Sequence, residues 1–165
     1  MRIRLLISVV VAFGCLCEAA PGGAKPNFSG TWVLDKDRSF SNPPGLDQTL
    51  VVTQTEEQIK LESKLVTARG EQTINETYTL DGKETDFTPP SGPPGVKGKR
   101  TASWLPDSRG ILIKDVTTTD SPKGPVTGQV TRKWTISADG NVLTVDYYFD
   151  DQRGSFEAKR VFVKK

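Results

Sequence analysis

From Trp32 to the C-terminus, apolar and polar residues alternate in short stretches that are separated by turn residues. An alternation of period two is typical of β-strands with one buried face. The stretches are rich in Thr, Val, Ile, Tyr, Phe and Trp, which β-structure favours. The pattern predicts ten strands, over residues 31–35, 48–54, 58–67, 72–80, 84–88, 98–105, 110–119, 126–137, 142–149 and 155–164.

The connections between these stretches predict hairpins. Asp81-Gly82 and Asp139-Gly140-Asn141 supply residues that tolerate positive φ. About ten antiparallel strands in chain order favour closure of the sheet, because closure removes exposed edges. We therefore predict an all-β fold, a single antiparallel up-and-down β-barrel of about 8–10 strands, with a two-sheet β-sandwich as the alternative. Helical periodicity is absent, and a single turn near Asp37–Phe40 is the most that we expect.

Two connections are rich in proline, at residues 42–45 and 89–95. Proline cannot donate a hydrogen bond to a sheet, so neither segment is predicted to be a central strand. Each is either a stiff surface loop, which is the simpler interpretation, or a cover over the barrel mouth.

The N-terminus has the three parts of a secretory signal peptide. Arg2 and Arg4 precede an apolar stretch over residues 5–17, and small residues follow at Ala19 and Ala20. The apolar stretch is shorter than the roughly 20 residues that a membrane-spanning helix needs. We expect an exported protein, periplasmic or extracellular, with no stable membrane insertion.

The signal peptide is predicted to cover residues 1–19, with the cleavage site somewhere within 19–24, and residues 20–165 form one domain. Cys15 follows a segment that faintly resembles a bacterial lipoprotein box. Because Phe13 fits that pattern badly, a lipid-anchored form is not favoured.

Composition excludes several classes of chemistry. The chain has no histidine, and its two cysteines, Cys15 and Cys17, lie in the predicted signal peptide. The predicted mature chain therefore lacks thiol nucleophiles, histidine bases and the usual zinc ligands. Lys and Arg number 22 against 20 Asp and Glu, a near balance that argues against nucleic-acid binding. We expect no metal, no cofactor and no enzyme activity.

When each strand is divided into its two faces, charged and polar side chains share a face with large apolar ones. The candidate ligand-binding residues on these mixed faces are Glu76, Tyr78, Arg100, Trp104, Arg132, Trp134 and Tyr147. In one interpretation, the arginines and a tyrosine hydroxyl hold an anionic head group while apolar residues enclose a tail. In the other, Glu76 pairs with an arginine inside the barrel, or a bulge turns the arginines outward.

Residues 27–165 resemble a lipocalin-like domain of the calycin superfamily, of the type found in small exported bacterial proteins. The segments that carry the resemblance are Phe28-Ser29-Gly30-Thr31-Trp32-Val33-Leu34-Asp35 with Ser39, Asp81-Gly82-Lys83, Trp134-Thr135-Ile136-Ser137-Ala138-Asp139-Gly140 and Arg160-Val161-Phe162. Ten strands would place the chain nearer to the fatty-acid-binding branch than to eight-stranded lipocalins. The resemblance implies that Trp32 plugs the closed end of the barrel and that Arg160 packs across its ring.

The function that the resemblance implies is binding or carriage of a small hydrophobic or amphipathic molecule, with anionic molecules among the candidates. The alternative is a non-enzymatic structural or interaction protein of the cell envelope, with a filled barrel, an unknown protein partner and a contact at residues 89–95. An enzyme would have to rely on carboxylates such as Glu76, Asp115 or Asp146, and their spacing does not resemble a paired-carboxylate site.

Overall fold

The computed structural model of the protein describes residues 24–90, 96–122, 124–152 and 154–165. The predicted signal peptide, Cys15 and residues 91–95 lie outside these ranges. The strands are β1 (Gly30–Phe40), β2 (Asp47–Gln54), β3 (Gln58–Thr67), β4 (Gly70–Thr79), β5 (Thr85–Phe87), β6 (Lys97–Trp104), β7 (Gly110–Thr119), β8 (Val126–Ile136), β9 (Val142–Asp151) and β10 (Gly154–Lys164). Within the described ranges no helix is long and apolar enough to cross a membrane.

The ten strands form one antiparallel sheet in the order β4-β3-β2-β1-β10-β9-β8-β7-β6-β5. The first and last strands are paired, with Trp32 opposite Lys164. The first and last strands lie side by side at the centre of the curled sheet, and β4 and β5 are its edge strands. A single bridge between Asp81 and Ser103 links the segment after β4 to β6. The predicted all-β up-and-down architecture is confirmed, and the sheet is one layer rather than a two-sheet sandwich.

Strand β1 differs from the prediction at its C-terminal end. It continues to Phe40, where the sequence suggested a single helical turn. Asp35 lies opposite Val161 and Phe40 lies opposite Lys159, so β1 carries extra residues between these two pairs. The Asp35 carboxylate accepts the backbone N–H of Asp37 at 3.1 Å, and the Asp35 carbonyl accepts the Ser39 hydroxyl at 2.5 Å. These local bonds stabilise a β-bulge in place of the turn.

One end of the curled sheet is filled by aromatic side chains. Phe28, Trp32 and Phe162 are fully buried there, and the Trp32 indole N–H donates to the Phe28 carbonyl at 2.9 Å. The Phe28 ring meets the Trp134 ring edge-on, with ring centres 6.0 Å apart. Edge-to-face contacts of this kind add to the stability that burial provides. The interior at this end of the molecule is therefore filled by side chains.

Candidate functional site

A cavity of about 450 Å³ lies at the end opposite the aromatic core. Its volume falls within the range of small-molecule sites, roughly 300–1,000 Å³. Its apolar lining consists of Leu50, Leu61, Leu65, Ile74, Phe87, Pro89, Pro90, Val96, Val130, Trp134, Val145 and Phe149. Its polar lining consists of Gln48, Ser63, Glu76, Arg100, Asp115, Thr117, Thr119, Arg132, Tyr147 and Arg160. The cavity therefore offers both polar and apolar groups to a ligand.

Four of the lining residues and the buried Tyr78 form a connected ion cluster, defined here as Glu76, Tyr78, Arg100, Asp115 and Arg132. Arg100 donates from Nε to Asp115 Oδ1 at 2.6 Å and from Nη2 to Glu76 Oε1 at 2.7 Å. Arg132 donates from Nη2 to Asp115 and from Nη1 to Tyr78 at 3.1 Å. Tyr78 in turn donates its hydroxyl to Glu76 Oε2 at 2.8 Å. Both guanidinium groups are thus paired with carboxylates inside the protein, and the buried Nε of Arg132 has no hydrogen-bond partner among the described residues.

The charges of the ion cluster cancel. Two carboxylates face two guanidinium groups, and the side chains of all four are about one-tenth exposed. Burial by itself would raise the pKa of Glu76, but the guanidinium groups of Arg132 and Arg100 outweigh it and hold that pKa below its ordinary value. Burial also raises the pKa of Tyr78 far above its usual range. This arrangement agrees with the internal pairing considered for Glu76 in the sequence. Because carboxylates neutralise the guanidinium groups of Arg100 and Arg132, neither is left to bind an anionic ligand.

The sheet register explains why Arg100 and Asp115 meet. They lie directly opposite each other on β6 and β7. The Arg100 guanidinium also stacks on the Phe87 ring at 4.2 Å. Phe87 can lie there because Gly98 is its cross-strand partner, and a Cβ at Gly98 would come within 2.2 Å of the ring. A glycine on β6 therefore makes room for one wall of the cavity.

A second polar group of the cavity is centred on Arg160 of β10 and includes side chains of β2 and β9; we call it the Arg160 group. Arg160 donates to Gln48 Oε1 at 2.9 Å, to Asn42 Oδ1 at 3.2 Å and, weakly, to the Tyr147 hydroxyl at 3.5 Å. Its guanidinium lies 4.8 Å from the centre of the Tyr147 ring. Gln48 is fixed by a 2.7 Å bond from its amide to the Ser63 hydroxyl. Among the described residues Arg160 has only neutral partners, so it is a cation on the cavity wall without a carboxylate.

The expected packing of Arg160 across Trp32 is wrong. Trp32 is buried at the filled end, but the cation over its ring is Lys164, whose Nζ lies 5.3 Å from the ring centre. The register of β1 and β10 places Lys164 opposite Trp32. Arg160 lies four residues earlier on the same strand, which moves its side chain along the barrel into the cavity.

The remaining candidates are divided between the cavity and the core. Tyr147 and Trp134 line the cavity, and Trp134 also packs edge-on against Tyr78. Tyr78 is fully buried beneath the cavity floor. Trp104 does not line this cavity; it packs toward Phe28 at 6.2 Å, with Lys25 over its ring.

Asn42, Gln48 and Asp115 were not among the ligand-binding candidates of the sequence, in which Asp115 was considered only as a carboxylate for an enzyme. Asp115 alternates with Ile111 and Ile113 on β7, and Gln48 is two residues before Leu50 on β2, so period-two alternation carried a signal for both. Asn42 lies in a connection outside the strands, and no periodic signal could have identified it.

No protein-family model matches this chain, and no curated protein matches it. Among solved structures, zebrafish ileal bile acid-binding protein complexed with cholic acid shares 16% identity and a TM-score of 0.50, over 84% of this chain and 98% of that one. Apo lipid binding protein 8 of Caenorhabditis elegans shares 10% identity and a TM-score of 0.51, over 84% and 95%. At these identities the likeness shows the fold alone, an antiparallel up-and-down β-barrel.

Proposed function

We propose that this protein binds a small amphipathic molecule, with an anionic head on the Arg160 group and an apolar part directed toward the cavity mouth. The observation that carries the proposal is Arg160 itself, a cation without a carboxylate partner in the described chain, on the wall of a cavity of about 450 Å³. The two neighbouring arginines do not share this property, since the ion cluster neutralises them.

The chemistry of the Arg160 group suits a carboxylate or a similar anion. A guanidinium binds such a group through parallel N–H bonds. The neutral oxygens of Gln48 and Asn42 accept hydrogen bonds from Arg160 but do not neutralise its positive charge. The Tyr147 hydroxyl beside it can donate a further hydrogen bond to the same anion.

The apolar lining of the cavity suits the apolar part of the ligand. It includes Leu65, Ile74 and Phe149, as well as Pro89 and Pro90 of the second proline-rich segment. Burial of an acyl or ring system against these side chains would supply roughly 25 cal/mol for each Å² removed from water. The names of the two structural neighbours, a bile acid-binding and a lipid-binding protein, support an apolar ligand in this kind of barrel.

We further propose that the protein is exported and acts without catalysis. Export rests on the tripartite pattern of the N-terminal residues, and the absence of histidine throughout the chain supports a binding role. Expression of the full chain in a bacterial host with a periplasm tests export. We expect a periplasmic product that has lost 19 to 24 N-terminal residues, whereas a cytoplasmic product with its N-terminus intact would contradict export.

The alternative, an interaction protein with a filled barrel, is less well supported because the barrel interior is open. It predicts that deletion of residues 89–95 abolishes a protein contact while ligand binding is unaffected. Our proposal predicts instead that changes to the cavity wall alter the affinity for small molecules.

Calorimetric titration of delipidated protein with oleate and with oleyl alcohol tests the proposal, since these probes share a tail and differ in head charge. We expect Arg160→Gln to weaken oleate binding about tenfold or more, because hydrogen bonds to charged groups contribute roughly 1.5–3 kcal/mol, and to leave oleyl alcohol nearly unchanged. Lys159→Gln, on the opposite face of the same strand, is the matched control and should bind both probes like the wild type. Absence of binding for both probes would refute the proposal.

A further inference from the structure

Three aromatic side chains form a continuous stack at the open end of the barrel, which we call the aromatic column: Tyr147, Phe149 and Phe156. The rings of Tyr147 and Phe149 are 5.9 Å apart and inclined by 7°. The rings of Phe149 and Phe156 are 4.5 Å apart and inclined by 8°. The three rings are thus nearly parallel and form one continuous stack of apolar groups.

The strand register builds this column. Tyr147 and Phe149 are two residues apart on β9 and share its inner face. Phe156 lies directly opposite Phe149 on β10, so the cross-strand pair continues the stack outward. Formation of the column therefore depends only on the β9–β10 hairpin.

The column connects the proposed head-group site with the surface. At its inner end the Arg160 guanidinium lies over Tyr147, and Tyr147 and Phe149 both line the cavity. At its outer end Phe156 is 52% exposed. A ring that packs on one side and is exposed to water on the other leaves apolar surface on which a ligand can bind.

Phe40 provides a comparison within the same molecule. It is 49% exposed, almost as much as Phe156. Its ring belongs to no aromatic stack in the part of the chain that the structure describes. Exposure alone is therefore shared by both phenylalanines, and the connection to the cavity distinguishes Phe156.

We propose that the aromatic column is the tail subsite, along which the apolar part of the ligand extends from Arg160 and leaves the cavity over Phe156. This inference rests on the proposed function and deepens it. It assigns the ligand to anionic amphipaths whose apolar part is long enough to reach beyond the cavity, so long-chain molecules are selected over short-chain ones.

Calorimetric titration with decanoate and oleate, which differ in the length of the tail, tests the tail subsite in Phe156→Ala and Phe40→Ala. We expect Phe156→Ala to weaken oleate binding about five- to tenfold, because apolar contact area is lost, and to change decanoate binding less than about twofold. Phe40→Ala should bind both probes like the wild type. Thermal unfolding of each variant checks that the fold is kept.

The outcomes separate the two proposals. If Arg160→Gln still weakens oleate binding while Phe156→Ala does not, the tail subsite is refuted and the proposed function stands. Equal losses for both probes in Phe156→Ala, or equal losses of oleate binding in Phe156→Ala and Phe40→Ala, refute the tail subsite as well. If the wild type binds neither probe, both proposals fail.

Discussion

At the scale of single residues, the partners of the three inward-facing arginines decide their roles. Alternation places Arg100, Arg132 and Arg160 on inner faces, and the sequence carries that signal clearly. It carries no signal that Arg100 and Arg132 find carboxylates while Arg160 finds only amide and hydroxyl oxygens. Burial of a charge is costly unless it is paired, so the first two stabilise the fold and the third remains available to a ligand.

Glu76 is the acid of β4 that holds the ion cluster together, and its removal should be costly. Glu76→Gln leaves Arg100 and Arg132 short of a negative charge in a buried site. We expect a loss of about 3 kcal/mol in the free energy of unfolding, as for other broken buried ion pairs. Urea denaturation measures this loss. The control is Glu62→Gln on the outer face of β3, whose pair with Lys64 is long at 3.9 Å, and it should cost less than about 0.5 kcal/mol. Equal effects in the two variants would count against a stabilising ion cluster.

The same carboxylate predicts a pH dependence. Its pKa in the folded protein is below the ordinary value of 4.5, despite its burial, because Arg132 and Arg100 face it. A lowered folded pKa contributes stability that is present above the unfolded pKa and is lost as the pH falls through the folded pKa. The difference in unfolding free energy between wild type and Glu76→Gln should therefore shrink as the pH is lowered below about 4.5. A difference that stays constant from neutral to acidic pH would contradict this assignment.

At the scale of strands, local signals predicted most of the fold. Gly140 has positive φ and marks the β8–β9 hairpin, as predicted. Gly82 also has positive φ, but the hairpin expected there is wrong, because β4 pairs with β3 and β5 pairs with β6, and β4 and β5 are the two edges of the sheet. The β1 bulge was missed because it depends on side-chain bonds from Asp35 and Ser39 and on the pairing with β10. The location of Arg160 was missed for the same reason, because the sequence of neither strand alone determines the register between the first and last strands.

Strand packing also predicts how two glycines of the β7–β8 pair tolerate a methyl group. A Cβ at Gly110 would lie 2.3 Å from the Trp134 carbonyl oxygen, whereas the nearest atom to a Cβ at Gly128 would be 3.7 Å away. Gly110→Ala should lower the free energy of unfolding by about 2 kcal/mol through overpacking, and Gly128→Ala should change it by less than about 0.5 kcal/mol. Thermal and chemical denaturation of both variants measure the difference, and a Gly110→Ala variant as stable as wild type would show that the strands pack differently.

At the scale of the whole molecule, the two ends of the barrel differ in how their interiors are filled. The Trp32 end is filled with aromatic rings, and the other end opens into the cavity. Strands β4 and β5 are the edges of the sheet and are not paired with each other. Glu76 of β4 forms ion pairs with Arg100 of β6 and Arg132 of β8, so the ion cluster links the two edges of the sheet. Alternation could predict which residues face inward. It could not predict that side chains fill one end and leave the other open, because that depends on how all ten strands curl together.

The central claim is that the open end holds a small anionic amphipath, and native mass spectrometry tests it most directly. The full chain is expressed, purified without delipidation and measured as wild type, Arg160→Gln and Lys159→Gln. We expect wild type and Lys159→Gln to carry a bound small molecule that is released as an anion, and Arg160→Gln to carry much less of it. Wild-type protein that shows only the mass of its polypeptide, and that binds no oleate when oleate is added, would contradict the claim.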